Sequence, residues 1–348
     1  MMNNDLSRLF FETIRKYLTE FLPRVRNMSP NTIQAAKDTL NLLVDYCQKI
    51  CGIPLLKIEF NTIGNIAFIT NFLSWLRDER KCGDTTINQR LSCIRGFFRY
   101  AAYEDVAYVS HYQTLLTVPL RKVQKNKTID FMSEETVKAI LNTPDLKTRI
   151  GLRNAFYMTL MYDSAARNSE ILSLKVKDIV DGKNPYMIVN GKGRKRRIIP
   201  LMQKTIEMFA QYLRLSYIDN IAPDDYLFYT KRNGVLFSMS SDNASAFISR
   251  YADQVRQSIP DVPKRVHPHM FRRSRAMHLY RSGMPLALLT EFLGHENPET
   301  TLIYASADTE MKRKAIEAAS ANLILGDESA APVWDDDDEM IRRLYGLK

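Results

Sequence analysis

Four histidines and a dense set of arginines fall in or beside one stretch of this sequence, HPHMFRRSRAMHLYRSGMPLALLTEFLGH, which runs from His267 to His295. The His267-x-His269 spacing is one that can ligate a metal ion. Against a metal, Arg265, Arg272, Arg273 and Arg275 crowd the pair, and no cysteine or acidic ligand follows closely. Cations beside neutral imidazoles suit an anion better. If that anion is a phosphate, His269 and Arg272 acquire a joint role: three residues apart on a helix, they share one face and can touch the same phosphoryl group.

A chain of 348 residues with 45% hydrophobic content is long enough for two cores, so two globular domains are expected to hold such a site. The net charge of +10 makes nucleic acid the leading partner. Asp5, Arg8, Glu12, Arg15 and Lys16 interrupt any early apolar run, so neither a signal peptide nor a membrane anchor is read there, and a cytoplasmic protein is expected. Cys47, Cys51, Cys82 and Cys93 lack a Cys-x-x-Cys pair or a nearby histidine and read as buried reduced thiols.

Ser29-Pro30 announces a helix, with Ile33, Ala36, Leu40, Leu43, Val44 and Cys47 following at three- and four-residue steps. Another starts at Asp84-Thr85 with Ile87, Leu91, Ile94 and Phe98 on one face, while Arg90, Arg95 and Arg99 project elsewhere as a DNA-binding or simply solvated basic face. The stretch PLRKVQKNK from Pro119 to Lys127 is basic and aperiodic. It reads as a linker that could follow a DNA backbone through Arg121, Lys122, Lys125 and Lys127. The expected layout is a helical domain over 1–118, the linker over 119–132, a second domain over 133–325 opened by a Ser133 cap, and a tail over 326–348. The second domain is expected to be helical with one interruption, a small antiparallel sheet spanning Val180, Tyr186–Val189 and Ile198–Pro200. In the tail, the acidic run Asp335–Asp338 precedes Ile341, Leu344 and Tyr345 at helical spacing.

Four segments in order, DSAARNSEILSL from Asp163, GKGRKRRIIPL from Gly191, HMFRR from His269 and LGHENPETTLIY from Leu293, resemble the tyrosine recombinase (phage integrase) family. The resemblance implies a mainly α fold with a small antiparallel β-sheet, in which a helical core-binding domain and an α+β catalytic domain form a C-shaped clamp. It further implies that Arg167 and Arg272 clamp a phosphate, that Glu170 braces the first arginine, and that Lys192 sits on a mobile β-turn. His269 and His295 would be the active-site histidines and Tyr304 the nucleophile. Taken singly, Lys192 reads as an ordinary hairpin lysine, and Tyr304 as one of seventeen tyrosines. Where the family usually has glycine this chain has Ala165, and where it often has histidine it has Arg273.

The implied chemistry is attack of Tyr304 on a DNA phosphodiester. Two guanidiniums and a histidine would stabilise the anionic transition state, His269 would accept the phenolic proton, and Lys192 would protonate the departing 5′-oxygen. Such a reaction conserves the phosphodiester bond energy and calls for no metal or cofactor. Arg194 and Arg273 are further candidate DNA contacts. The expected partners are double-stranded DNA sites, a homo-tetramer assembled on them with a tail passed between protomers, and accessory DNA-bending proteins. The same chemistry in a type IB topoisomerase or telomere resolvase, or a DNA-binding regulator on an integrase scaffold, is the alternative.

Overall fold

In the computed structural model, which describes residues 2–123, 130–191, 196–216 and 222–307 with isolated positions 313, 316, 317 and 342 besides, the amino-terminal part is all helix. Helix α1 (Met2–Lys16) runs into a π-helical stretch, Tyr17–Val25, that contains Pro23. Proline supplies no N–H to an α-helical ladder, which accords with a departure from regular geometry there. Helix α2 (Pro30–Lys49) starts where its cap residue predicts, with the Ser29 hydroxyl accepting from the Thr32 N–H. Short α3 (Phe60–Ile63), α4 (Ile66–Asp78), α5 (Asp84–Glu104) and α6 (Val109–Leu116) follow. Their core is aromatic: Phe10, Phe60, Phe97 and Phe98 are buried, with ring centroids 5.1–5.7 Å apart.

Two expectations about this part are corrected. Arg90 is turned inward, donating to the Ala35 carbonyl at 3.2 Å and the Thr39 hydroxyl at 2.9 Å. Arg95 donates to the carbonyls of Leu115, Leu116 and Val118 and so closes the end of α6. Neither lies on a free basic face. Of the cysteines, all of them free thiols, Cys47 is buried but Cys51 is exposed and Cys82 and Cys93 are half-buried.

The chain divides into compact units at Met1–Lys125 and Asn126–Lys348. The second opens with α7 (Glu134–Asn142), capped by the Ser133 hydroxyl, and α8 (Arg149–Ser164), capped by Thr148. Helix α8 is the spine: Phe156, Tyr157, Leu160 and Met161 are wholly buried in the core of this unit. Helix α9 (Asn168–Ser173) then leads into an antiparallel sheet ordered β1 (Ile179–Val180), β2 (Tyr186–Asn190), β3 (Arg196–Pro200). Helix α10 (Gln203–Ser216) is followed by a hairpin that was not anticipated, β4 (Tyr229–Arg232) and β5 (Val235–Ser238). Its turn is Asn233-Gly234 with φ of +48° and +80°, the dipeptide such tight turns favour. Helices α11 (Ser241–Arg256), α12 (Pro268–Arg281), α13 (Leu286–Leu293) and α14 (Glu299–Ala307) complete the unit. Among the described residues no helix is long and apolar enough to cross a membrane.

Candidate active site

The carboxyl end of α8 is the first element of the site. Ala165 ends the helix in the left-handed conformation, φ +47°, although it is not glycine, and its side chain is buried. That turn aims its carbonyl at Arg272, whose Nη1 donates to it at 2.6 Å while Nη2 donates to the Leu293 carbonyl at 2.7 Å. Arg272, 1% exposed, thus joins the ends of α8 and α13, where backbone carbonyls carry negative partial charge. Burial and the neighbouring Arg167 bring its pKa down to about 10, still fully charged at neutral pH.

Arg167 caps α9. Its backbone N–H donates to Glu170 Oε2 at 2.7 Å and its Nη1 to Oε1 at 3.0 Å, while Nη2 reaches the Gly294 carbonyl at 2.9 Å. Glu170 also receives a two-pronged contact from Arg197, at 3.0 and 2.8 Å. Burial pushes the Glu170 pKa up, but the Arg167 backbone N–H and the two guanidiniums outweigh it and hold the group below its usual value.

The turn after α13 brings in His295. Gly294, at φ +61°, ends the helix in the left-handed conformation, with Gly294 N–H on Glu291 O and His295 N–H on Thr290 O. His295 Nδ1 lies 2.9 Å from the Thr301 hydroxyl. Thr301 is buried on α14 one helical turn before Tyr304, itself 3% exposed and packed with Ala165, Ala276, Met277, Leu289 and Leu293. Burial raises the Tyr304 pKa; Arg272 and then Arg273 act to lower it. His269, on the first turn of α12, keeps more than a third of its surface open to solvent. Even so, partial burial and then Arg273, Arg272, His267 and Arg167 push its pKa down to about 4. His295 is likewise held at about 4 by burial and by Arg272 and Arg167. Both imidazoles are therefore neutral at pH 7.

A cleft of about 850 Å³ is lined by Arg167, Glu170, Gly191, Arg197, His295 and Thr300, among others. Arg167, Glu170, His269, Arg272, His295 and Tyr304 are thus brought into one electrostatically coupled neighbourhood from segments far apart in sequence. Lys192 and Arg194 lie outside the described residues, as do Lys125, Lys127 and, apart from Arg342, the tail. Of the other DNA-contact candidates, Arg99 is half-buried on α5, Lys122 is exposed, and Arg121 is 3.5 Å from Asp84. Three contributors escaped the sequence reading. Arg197 shares the inward face of β3 with Ile199 and pairs with Val189, so a period of two, once registered on Ile199, would have found it. Thr301 and Gly294 lie in the quoted segment from Leu293, but nothing in the sequence assigned either a role of its own.

The model for the phage integrase family matches residues 130–311, and that for the phage integrase N-terminal SAM-like domain matches residues 14–105. A putative integrase/recombinase, y4rC, of Sinorhizobium fredii is 28% identical over 308 residues, covering 88% of this chain and 90% of its own. The tyrosine recombinase XerD of Rickettsia bellii is 27% identical over 317 residues, covering 88% and 97%. The fold is similar to that of XerH recombinase in a post-cleavage complex with its difH substrate, TM-score 0.64 at 21% identity over 85% of this chain and 81% of that one. It is also similar to the Tn1549 transposon integrase with transposon-end DNA, TM-score 0.64 at 18% identity over 89% and 99%. With the phage integrase family match alone spanning more than half of the sequence, the chain belongs to that family and is an enzyme of the tyrosine recombinase type.

Proposed function

We propose that this recombinase cuts one DNA strand at a specific site by attack of Tyr304 Oη on the scissile phosphorus. A P–O bond to tyrosine forms, the P–O5′ bond breaks, and the strand is held as a 3′-phosphotyrosine with a free 5′-hydroxyl. His269, neutral at pH 7, takes the phenolic proton. Lys192 gives a proton to the departing 5′-oxygen. Arg167 and Arg272 face the non-bridging oxygens, where preorganised cations are worth most because they need no reorganisation as charge builds up. His295, its ring fixed through Thr301, adds a hydrogen bond to the same oxygens. The reverse reaction, with the 5′-hydroxyl of a partner strand as nucleophile, reseals the backbone and completes an exchange without net hydrolysis.

The observation that carries this reading is the joining of Arg272 to the ends of α8 and α13 beside the buried Tyr304. A binding-only regulator would have no use for a nucleophile and neutral histidines gathered around two arginines. We further read the working assembly as a homo-tetramer on two sites that passes through a Holliday junction, acting in the cytoplasm in integration, excision or transposition of a mobile element. Residues 326–348 would dock on a neighbouring protomer, and DNA-bending proteins would assist. The test is denaturing electrophoresis of the protein with nicked DNA carrying its site. A covalent complex joined through the DNA 3′ end is expected. Sequence-specific binding without any covalent complex would favour the regulator.

A further inference from the structure

Three contacts in succession join the end of α8 to α12, and the last of them is made by Arg272. Tyr162 Oη lies 2.8 Å from Nδ1 of the buried His278. The next residue, Asp163, has its Oδ1 3.7 Å from Arg275 Nη2, and the Arg275 guanidinium also lies over the Tyr162 ring, 5.2 Å from its centroid. Two residues on, the Ala165 carbonyl receives Arg272 Nη1. As α8 advances from 162 to 165, its partners on α12 step back from 278 through 275 to 272, at three-residue spacing that makes them neighbours on the helix surface.

Asp163 also reaches a third element. Its Oδ2 accepts the Met202 N–H at 2.8 Å and the Thr205 hydroxyl at 2.7 Å, supporting the start of α10. That support asks only for an acceptor, which asparagine would supply as well. The charge of Asp163 is met by Arg275 instead. Asp163 is buried and Arg275 half-buried, and the Arg275 Nε is buried without a hydrogen-bond partner. An ion pair with a stranded donor adds little to stability, and an apolar side chain of similar length would serve the fold as well. What the pair does supply is a fixed point on α12, three residues from Arg272.

We propose that Asp163 and Arg275 are positioning residues that set α12 against the end of α8 and so hold Arg272 where it faces the scissile phosphate. This rests on the reading of Arg272 as a phosphate clamp. Both residues act through the seating of Arg272 on the Ala165 and Leu293 carbonyls.

The test uses full-length protein and three measurements: single-turnover cleavage of nicked DNA carrying the site, binding of that DNA, and unfolding in denaturant. Arg275→Met and Asp163→Asn are each expected to slow cleavage about 30-fold, within the loss of about 100-fold that a displacement near 1 Å can cause. Site binding should be unchanged, and Arg275→Met should unfold at the wild-type midpoint. The double variant should be no slower than the slower single one, because the two residues act as a unit; losses that multiply to about 1,000-fold overturn the pairing. Arg275→Lys should cleave within about threefold of wild type, since a single-pronged contact needs the charge and not the fork. A midpoint of Arg275→Met that falls in step with its rate overturns the proposal in favour of plain structural support. So does Thr205→Val cleaving as slowly as Asp163→Asn, for Asp163 would then act through α10. Arg272→Ala keeps the two readings apart. Cleavage at the wild-type rate by that variant refutes the reading of Arg272 itself, whereas its failure beside unimpaired Asp163→Asn and Arg275→Met overturns the positioning alone.

Discussion

At the scale of the residue, three of the catalytic candidates, Arg167, Arg272 and His295, have a further hydrogen bond that fixes them. Thr301 fixes His295, Glu170 braces Arg167, and the ends of α8 and α13 hold Arg272. Thr301→Val removes the hydroxyl bonded to His295 Nδ1 and should lower the cleavage rate roughly tenfold, the lower end of what losing an orienting partner costs at comparable sites. Single-turnover cleavage measures this. Because His269 and His295 are held near 4, their neutral forms persist down to acidic pH, and protonation removes the acceptor only below that value. The pH profile of kcat/KM, which reports the free enzyme, should therefore show no inflection near 6.5 between pH 5 and 8. A clear inflection there would mean that the histidines are not shielded as described. Glu170→Gln should destabilise the protein by about 1–3 kcal/mol at pH 7, since the half-buried Arg197 and the more exposed Arg167 lose a buried counter-charge that they hydrogen-bond. The Glu170 pKa is depressed in the fold, so its contribution is present above the unfolded value and is lost as pH falls through the folded one. The gap between wild type and variant in denaturant unfolding should narrow on acidification.

Among the elements, the site is made from helix ends. The left-handed residues Ala165 and Gly294 terminate α8 and α13 and point carbonyls inward. At Ala165 a non-glycine residue bears strain of about 1–2 kcal/mol, while its buried methyl contributes about 0.8 kcal/mol. Ala165→Gly should consequently shift stability by no more than about 1 kcal/mol. Gly294→Ala incurs the strain and also a collision of its Cβ with Arg197, and should cost about 2 kcal/mol or more together with most of the cleavage activity. Equal tolerance of both substitutions, judged by chemical denaturation, would contradict the close packing of Arg197 on Gly294. The caps at Ser29 and Ser133 and the three-stranded sheet were legible in the sequence because each rests on a local rule. The second hairpin was signalled only by Asn233-Gly234, since Tyr229–Arg232 shows no clear alternation. Arg90 and Arg95 were misread because helical periodicity tells which face a side chain leaves from but not which carbonyl it meets. The catalytic candidates were legible through motif order, whereas Arg197 depended on a strand register that the adjacent apolar Ile198 obscured.

For the whole molecule, the charge of +10 predicts affinity that falls steeply with salt, by about 0.9 in log K per log salt for each phosphate contacted. Arg90 and Arg95 are engaged within the amino-terminal unit, so Arg90→Met should leave the salt slope unchanged while lowering the stability of that unit. Neutralising Lys122, Lys125 and Lys127 together should flatten the slope if the linker follows the DNA backbone. Fluorescence anisotropy at several salt concentrations separates these, and a reduced slope for Arg90→Met would return that residue to the DNA. The central claim, that Tyr304 becomes covalently joined to DNA, is tested most directly by isolating the adduct on a suicide substrate and mapping the modified residue by mass spectrometry. Wild-type protein is predicted to carry the DNA 3′-phosphate on Tyr304, and Tyr304→Phe to bind the same site with no adduct; an adduct on any other residue, or one formed by Tyr304→Phe, would contradict the account.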